Sequence, residues 1–223
     1  MIKFTVMPRK SKSAHAAEVM RRLHQEYPDA HCELDYESPL QLLIATILSA
    51  QCTDVRVNIV TKSLFQKYLS PEDYLKVPQS ELEKDIHSTG FYRNKSSNIR
   101  RSCQKILDDF HGEVPQTMEE LLTLPGVARK TANVVLGNAF NKTSGVVVDT
   151  HIKRVSFRLG MTEETDPKKV EQDLMKVIPQ DDWIFAGHAI IWHGRRVCYA
   201  RKPNCGGCVL EDICPRFGVK EKT

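Results

Sequence analysis

The chain has 223 residues, of which 41% are hydrophobic and 27% charged, with seven cysteines and a formal net charge of +4. That length buries a core without disulfide staples, and no apolar run is long enough to span a bilayer, which argues against a membrane protein. The mild positive charge permits a polyanionic partner without demanding one.

Residues 1–13 read as a flexible basic N-terminal arm, because their basic residues follow a short apolar stretch rather than precede a long one, the reverse of a secretory signal. Apolar residues recur every three or four positions over 14–26, 39–49, 54–68, 93–109, 127–140, 149–159 and 181–197, which predicts helices. Pro71, Pro78, Gly90, Pro115, Gly145, Gly160, Pro167 and Pro179 punctuate the chain between and around them. Val146, Val147 and Val148 suit a short extended connector, since one triplet has no strand to pair with. No repeat of roughly 30 to 45 residues is visible, so a helical solenoid is disfavoured and the predicted class is a compact all-α fold.

Residues 117–123 predict a short helix, Leu124, Pro125, Gly126 and Val127 a tight turn, and Ala128 the start of a second helix: a helix-hairpin-helix over about 117–140. The unpaired N–H groups at that second helix start, with Gly126, Val127, Ala128 and Arg129 around them, make an anion site suited to a DNA phosphate. Such a contact reads no base sequence. Lys130 lies in the same first turn, where the positive end of the helix disfavours an ammonium. Local sequence leaves two readings, a phosphate contact and an amine nucleophile able to form a Schiff base. Asp149, between the valines and the next helix, suits an N-cap and also a general base or a carboxylate that stabilises positive charge on a sugar.

Four cysteines fall in a Cys198-x6-Cys205-x2-Cys208-x5-Cys214 pattern followed by Pro215, while Cys32, Cys52 and Cys103 are scattered. An odd count with this clustering fits metal ligation in a reducing, intracellular setting better than a disulfide framework. Zinc knuckles usually present two close pairs, and here there is one, so the spacing favours a 4Fe-4S cluster over zinc. Arg195, Arg196, Arg201 and Lys202 beside the first two cysteines offset thiolate charge and offer a phosphate-facing patch, or form a solvated basic loop.

Taken together, LPGVARKTANVVLGNAF, VDTHIKRV, SAQCTDVRVN and the cysteine spacing closely resemble the endonuclease III family of helix-hairpin-helix DNA glycosylases, over about residues 15–217. The resemblance implies two helical domains with a DNA-binding cleft between them. One is a six-helix barrel, near 32–142, and the other is a cluster-bearing domain from 14–31 and 143–223. It implies that Lys130 attacks C1′ of a damaged nucleotide, that Asp149 is its carboxylate partner, and that the four cysteines hold the 4Fe-4S cluster. Gln51 then matches a residue that fills the gap left by a flipped-out nucleotide, Phe91 a wedge position, and Lys95 a candidate phosphate contact. The family's second hairpin glycine is replaced by Ala128.

The implied activity is a bifunctional DNA glycosylase and abasic-site lyase acting on oxidised pyrimidines in damaged double-stranded DNA, by a monomeric, cytoplasmic protein. The competing readings are a monofunctional mismatch glycosylase and a non-catalytic DNA-binding iron–sulfur sensor. Residues 38–53 lack the carboxylate of the adenine-removing relatives, and Lys130 stands where thymine-removing relatives typically have tyrosine.

Overall fold

The computed structural model describes residues 9–219, and no strand occurs among them. The chain forms two compact units, one from Cys32–Ser144 and one joining the residues before Cys32 to those from Gly145 onward.

The Cys32–Ser144 unit holds α2 (Pro39–Leu48), α3 (Asp54–Lys67), α4 (Pro71–Lys76), α5 (Gln79–Asp85), α6 (Tyr92–Phe110), α7 (Met118–Leu121) and α8 (Arg129–Phe140). Helix α2 is its hub. Residues Leu42, Leu43, Ile44, Ala45, Thr46, Ile47 and Leu48 are all buried, the pattern of a helix enclosed on every side. Around it close Val57, Val60 and Leu64 of α3, Ile99 and Ile106 of α6, and Ala132, Val135 and Leu136 of α8.

Local chemistry starts these helices where they start. Ser38 accepts from Gln41 N with Pro39 in the first turn, and Thr53 and Thr117 cap α3 and α7 in the same way. The unit holds these seven α-helices and a 3-10 turn, His87–Thr89. Pro71 and Pro78 stand at the heads of α4 and α5, starting helices in a stretch where the sequence pattern predicts only breaks. Arg100 of α6 then satisfies the carbonyls at the end of α4, donating to Tyr74 O at 2.6 Å and to Val77 O.

The second unit holds α1 (Arg9–Glu26), α9 (Thr150–Arg158), α10 (Pro167–Val177) and α11 (Trp183–Arg196). Helix α1 begins at Arg9, not after residue 13, because no glycine or proline interrupts Arg9–Glu26; residues 1–8 of the expected arm lie outside the described residues. Its Val19 and Leu23 pack with Ile152 and Val155, Val170 and Leu174, and Ala186, Ala189 and Ile190 in a core of this unit's own. Helix α10 is not among the helices expected from sequence. Asp166 accepts from Lys168 N and Lys169 N, so Pro167 opens a helix rather than breaking one. Residues 146–148 belong to no helix or strand, and Val146 is fully buried.

Burial, with His31 adding repulsion, lowers the His188 pKa from 6.5 to about 4. The unfolded chain therefore binds a proton that the folded chain refuses, and stability falls as pH drops from about 6.5 to 4. Burial lowers His193 to about 4 as well, so urea unfolding across that window is expected to show the loss and His188→Gln to remove only part of it.

Candidate active site and cysteine centre

The hairpin is built around Gly126, which adopts φ +80°. A Cβ there would stand 2.9 Å from both Cβ and Nδ2 of Asn98, so glycine is required by backbone conformation and by the close approach of α6. Ser102, one turn further along α6, donates to Pro125 O at 2.7 Å. Val127 is buried and its N–H bonds to Leu124 O, which closes the turn. Neither Asn98 nor Ser102 stands out in the sequence, because their role exists only once α6 lies against the turn.

Ala128 is the N-cap of α8, with φ −96°, ψ 169° and no side-chain cap. Its backbone is extended, so alanine carries no strain where the family usually has glycine. The first-turn N–H groups of α8 thus have no capping side chain, and Ala128, Arg129 and Lys130 are all exposed around them. An anion there meets the helix's positive end and two cationic side chains.

Asp149 belongs to the other unit and caps α9, with Oδ1 accepting from His151 N and Ile152 N, both at 2.8 Å. Both bonds fall on one oxygen, so capping holds the carboxylate in place while using half of it. The cap and chemical readings of Asp149 are therefore compatible.

Gln51 and Phe91 are both exposed and both left-handed, with φ +54° and +48°. Phe91 is 60% exposed, so its ring lies outside the core. Lys95 requires a correction. It is 4% exposed and donates through Nζ to Leu48 O and Thr89 O, both at 2.8 Å, so it is no surface phosphate contact. Helix α6 turns it inward, where burial lowers its pKa and the carbonyls replace its lost water.

The four cysteines line one hollow at the end of α11, with about 390 Å³ of space free of protein atoms, counting the part open to solvent. Among the described residues no three metal-binding side chains converge on a single-ion site; the sulfurs surround a volume instead. Burial pushes the Cys208 thiol up to about 11 and raises Cys214 as well, so a cationic occupant favours the thiolate form of these two. N–H donors already face the sulfurs: Arg158 Nη1 lies 3.3 Å from Cys198 Sγ and Leu210 N 3.4 Å from Cys208 Sγ, as suits sulfur carrying negative charge. Arg158 also donates to Tyr199 O and Ala200 O, and Arg154 to Gly194 O and Cys198 O, pinning the loop from α9. These donor and space properties fit an iron–sulfur cluster. No sequence signal marks Arg154 or Arg158 for this task, because each reaches across some forty residues.

Residues 44–180 match the model of the HhH-GPD superfamily base excision DNA repair proteins, and residues 198–214 match the iron-sulfur binding domain of endonuclease III. The chain is 59% identical to endonuclease III of Synechocystis sp., covering 92% of this chain and 94% of that one. The chain belongs to the endonuclease III family. Endonuclease III of Bacillus subtilis is 50% identical, with 88% and 90% of the two chains covered. A solved structure of a trapped endonuclease III–DNA covalent intermediate superposes with a TM-score of 0.86 at 47% identity, covering 92% of this chain and 96% of that one. The hairpin and Asp149 fall in the first matched region of this endonuclease III family chain, and the four cysteines fall in the second.

Gly126→Ala is expected to lower stability by about 1 to 3 kcal/mol through φ strain and the Asn98 contact. Chemical denaturation checks this, with weakened binding to undamaged duplex DNA as the accompanying result.

Proposed function

We propose that this chain is a bifunctional DNA glycosylase and abasic-site lyase that removes oxidised pyrimidines from double-stranded DNA in base excision repair. The observation that carries the reading is an exposed amine, Lys130, in the first turn of α8, whose N-terminus has no capping side chain. The α8 N–H groups and Arg129 bind a backbone phosphate, which fixes the register of the strand without reading its sequence. Gln51 and Phe91 fill and wedge the duplex where the damaged nucleotide leaves the stack.

Lys130 attacks C1′ through the lone pair of Nζ; the N-glycosidic bond breaks and the base departs with its electron pair. The sugar ring opens to a protonated Schiff base between C1′ and Nζ. Loss of a proton from C2′ then expels the 3′ phosphate by β-elimination, and water releases Nζ. Asp149, held by its cap bonds, stabilises the cationic sugar through its carboxylate, and the departing base takes up the proton that the amine loses. Cys198, Cys205, Cys208 and Cys214 would hold a 4Fe-4S cluster, which when bound would supply a cationic core that offsets part of the charge of four thiolates and would tie their loop to α11 and α9.

The chain acts as a monomer, since one set of these groups serves one flipped nucleotide. No helix among the described residues is long and apolar enough to cross a membrane. A cytoplasmic location on chromosomal DNA matches a cluster and free thiols that need reducing conditions.

With duplex DNA containing one thymine glycol and added borohydride, the wild-type protein is expected to form a covalent adduct and to nick the strand. Lys130→Ala is expected to form no adduct while still binding DNA, and an adduct in that variant would remove Lys130 as the nucleophile. Asparagine caps helices as well as aspartate does, so Asp149→Asn is expected to keep its melting temperature and lose about a hundredfold in excision rate. Cys208→Ser is expected to reduce bound iron, read by metal analysis, and to lower Tm by about 5 °C or more.

A further inference from the structure

The buried ammonium of Lys95 bonds two turns that are distant in sequence. Its Nζ lies 2.8 Å from Leu48 O, at the last residue of α2, and 2.8 Å from Thr89 O, in the 3-10 turn His87–Thr89. The two carbonyl oxygens are therefore no more than two hydrogen-bond lengths apart. The backbone N–H of Lys95 donates to Phe91 O at 3.0 Å, so this residue grips the 89–91 turn from both sides.

Each clamped carbonyl lies shortly before an exposed, left-handed residue other than glycine. Gln51 (φ +54°) follows Leu48 by three positions, and Phe91 (φ +48°) follows Thr89 by two. Left-handed backbone is disfavoured for side chains of this size and persists only where surroundings enforce it. Around Gln51 the backbone closes through one long bond, Ala50 N to Ile47 O at 3.4 Å, and one ordinary bond, Cys52 N to Ser49 O at 3.1 Å, and neither is made by Gln51 itself. Before Phe91, Gly90 has φ +71° with nothing within 4 Å of the point where a Cβ would stand, so packing at Gly90 itself does not hold the left-handed backbone, while buried Thr89 anchors the turn by donating through Oγ1 to Ile86 O at 2.8 Å. A charged donor shared between two carbonyls is the strongest polar constraint common to both turns.

We propose that Lys95 is a positioning residue that fixes the spacing of Gln51 and Phe91, so that both side chains enter the duplex together when a damaged nucleotide is flipped out. The inference rests on the roles proposed above for Gln51 and Phe91, and it assigns Lys95 no contact with DNA. Lys95 acts on extrusion of the nucleotide and not on the Schiff-base chemistry of Lys130, so its loss separates the two.

The test compares wild type, Lys95→Met and Lys95→Arg in three measurements. The first is single-turnover excision of thymine glycol from duplex DNA. The second is fluorescence of a 2-aminopurine placed opposite the lesion, which reports unstacking without chemistry. The third is borohydride trapping on an abasic site in single-stranded DNA, where no duplex has to be opened. Lys95→Met is expected to lose about tenfold or more in duplex excision, from a small misplacement of the two inserting groups. Its fluorescence rise should fall in parallel, and its single-strand trapping should stay within about twofold of wild type. Added to a Gln51→Ala/Phe91→Ala background, Lys95→Met should cost little more, because its effect passes through those side chains.

Lys95→Arg serves where Lys95→Met does not fold. It keeps the charge, but its planar head cannot sit at one point between the two carbonyls without parting them, so it should show the same split. Equal loss in all three measurements, or wild-type excision and fluorescence in the folded variants, would overturn the proposal. Absence of excision and trapping in the wild type would instead sink the glycosylase reading itself.

Discussion

Every helix leaves four N–H groups at one end and four carbonyls at the other without partners, and an all-helical chain with many short helices multiplies that shortfall. Much of this protein's polar architecture answers it. Ser38, Thr53, Thr117, Asp149 and Asp166 serve N-termini with side-chain oxygens. Buried or half-buried cations serve carbonyls at and beyond C-termini: Lys95 at the end of α2, Arg100 at the end of α4, and Arg154 and Arg158 at and beyond the end of α11. A buried carbonyl left without such a donor costs about 1 to 3 kcal/mol, which makes these cations structural before they are anything else.

The places where this rule is relaxed or doubled are the places to which the proposed chemistry is assigned. Helix α8 starts at Ala128 with no side-chain acceptor, and a DNA phosphate supplies the missing one in the proposed complex. Asp149 fulfils its capping duty with one oxygen, which holds the carboxylate in the fixed orientation that its proposed role at the sugar needs. A cap that is also a catalytic group needs no separate scaffold, because the helix it starts already holds it rigid.

The cysteine loop applies the same logic to a segment with almost no regular structure. Its backbone carbonyls are taken up by Arg154 and Arg158 of α9, and Arg22 of α1 donates to Val209 O and pairs with Asp212. The loop is thus shaped by its own unit, and its four cysteines line a hollow that metal binding can fill. Folding and cluster binding reinforce one another here, since a preformed cage lowers the ordering that the metal must impose.

Much of this is legible in one dimension. The helix-hairpin-helix, the four-cysteine spacing, Lys130 and Asp149 lie in contiguous motifs whose local chemistry is read from neighbours a few residues away, and such signals survive without any knowledge of packing. Helix α10 is legible in principle, through Asp166, Pro167 and the spacing of Val170, Leu174 and Val177, yet it escapes a reading by periodicity because proline marks a helix start as readily as a break. What only the tertiary structure decided is where long side chains go. Lysine and arginine carry flexible stems, and the sequence of α6 does not reveal whether Lys95 turns out toward a phosphate or in toward two carbonyls. That choice depends on which chain ends fold against it, and Leu48 lies 47 residues away.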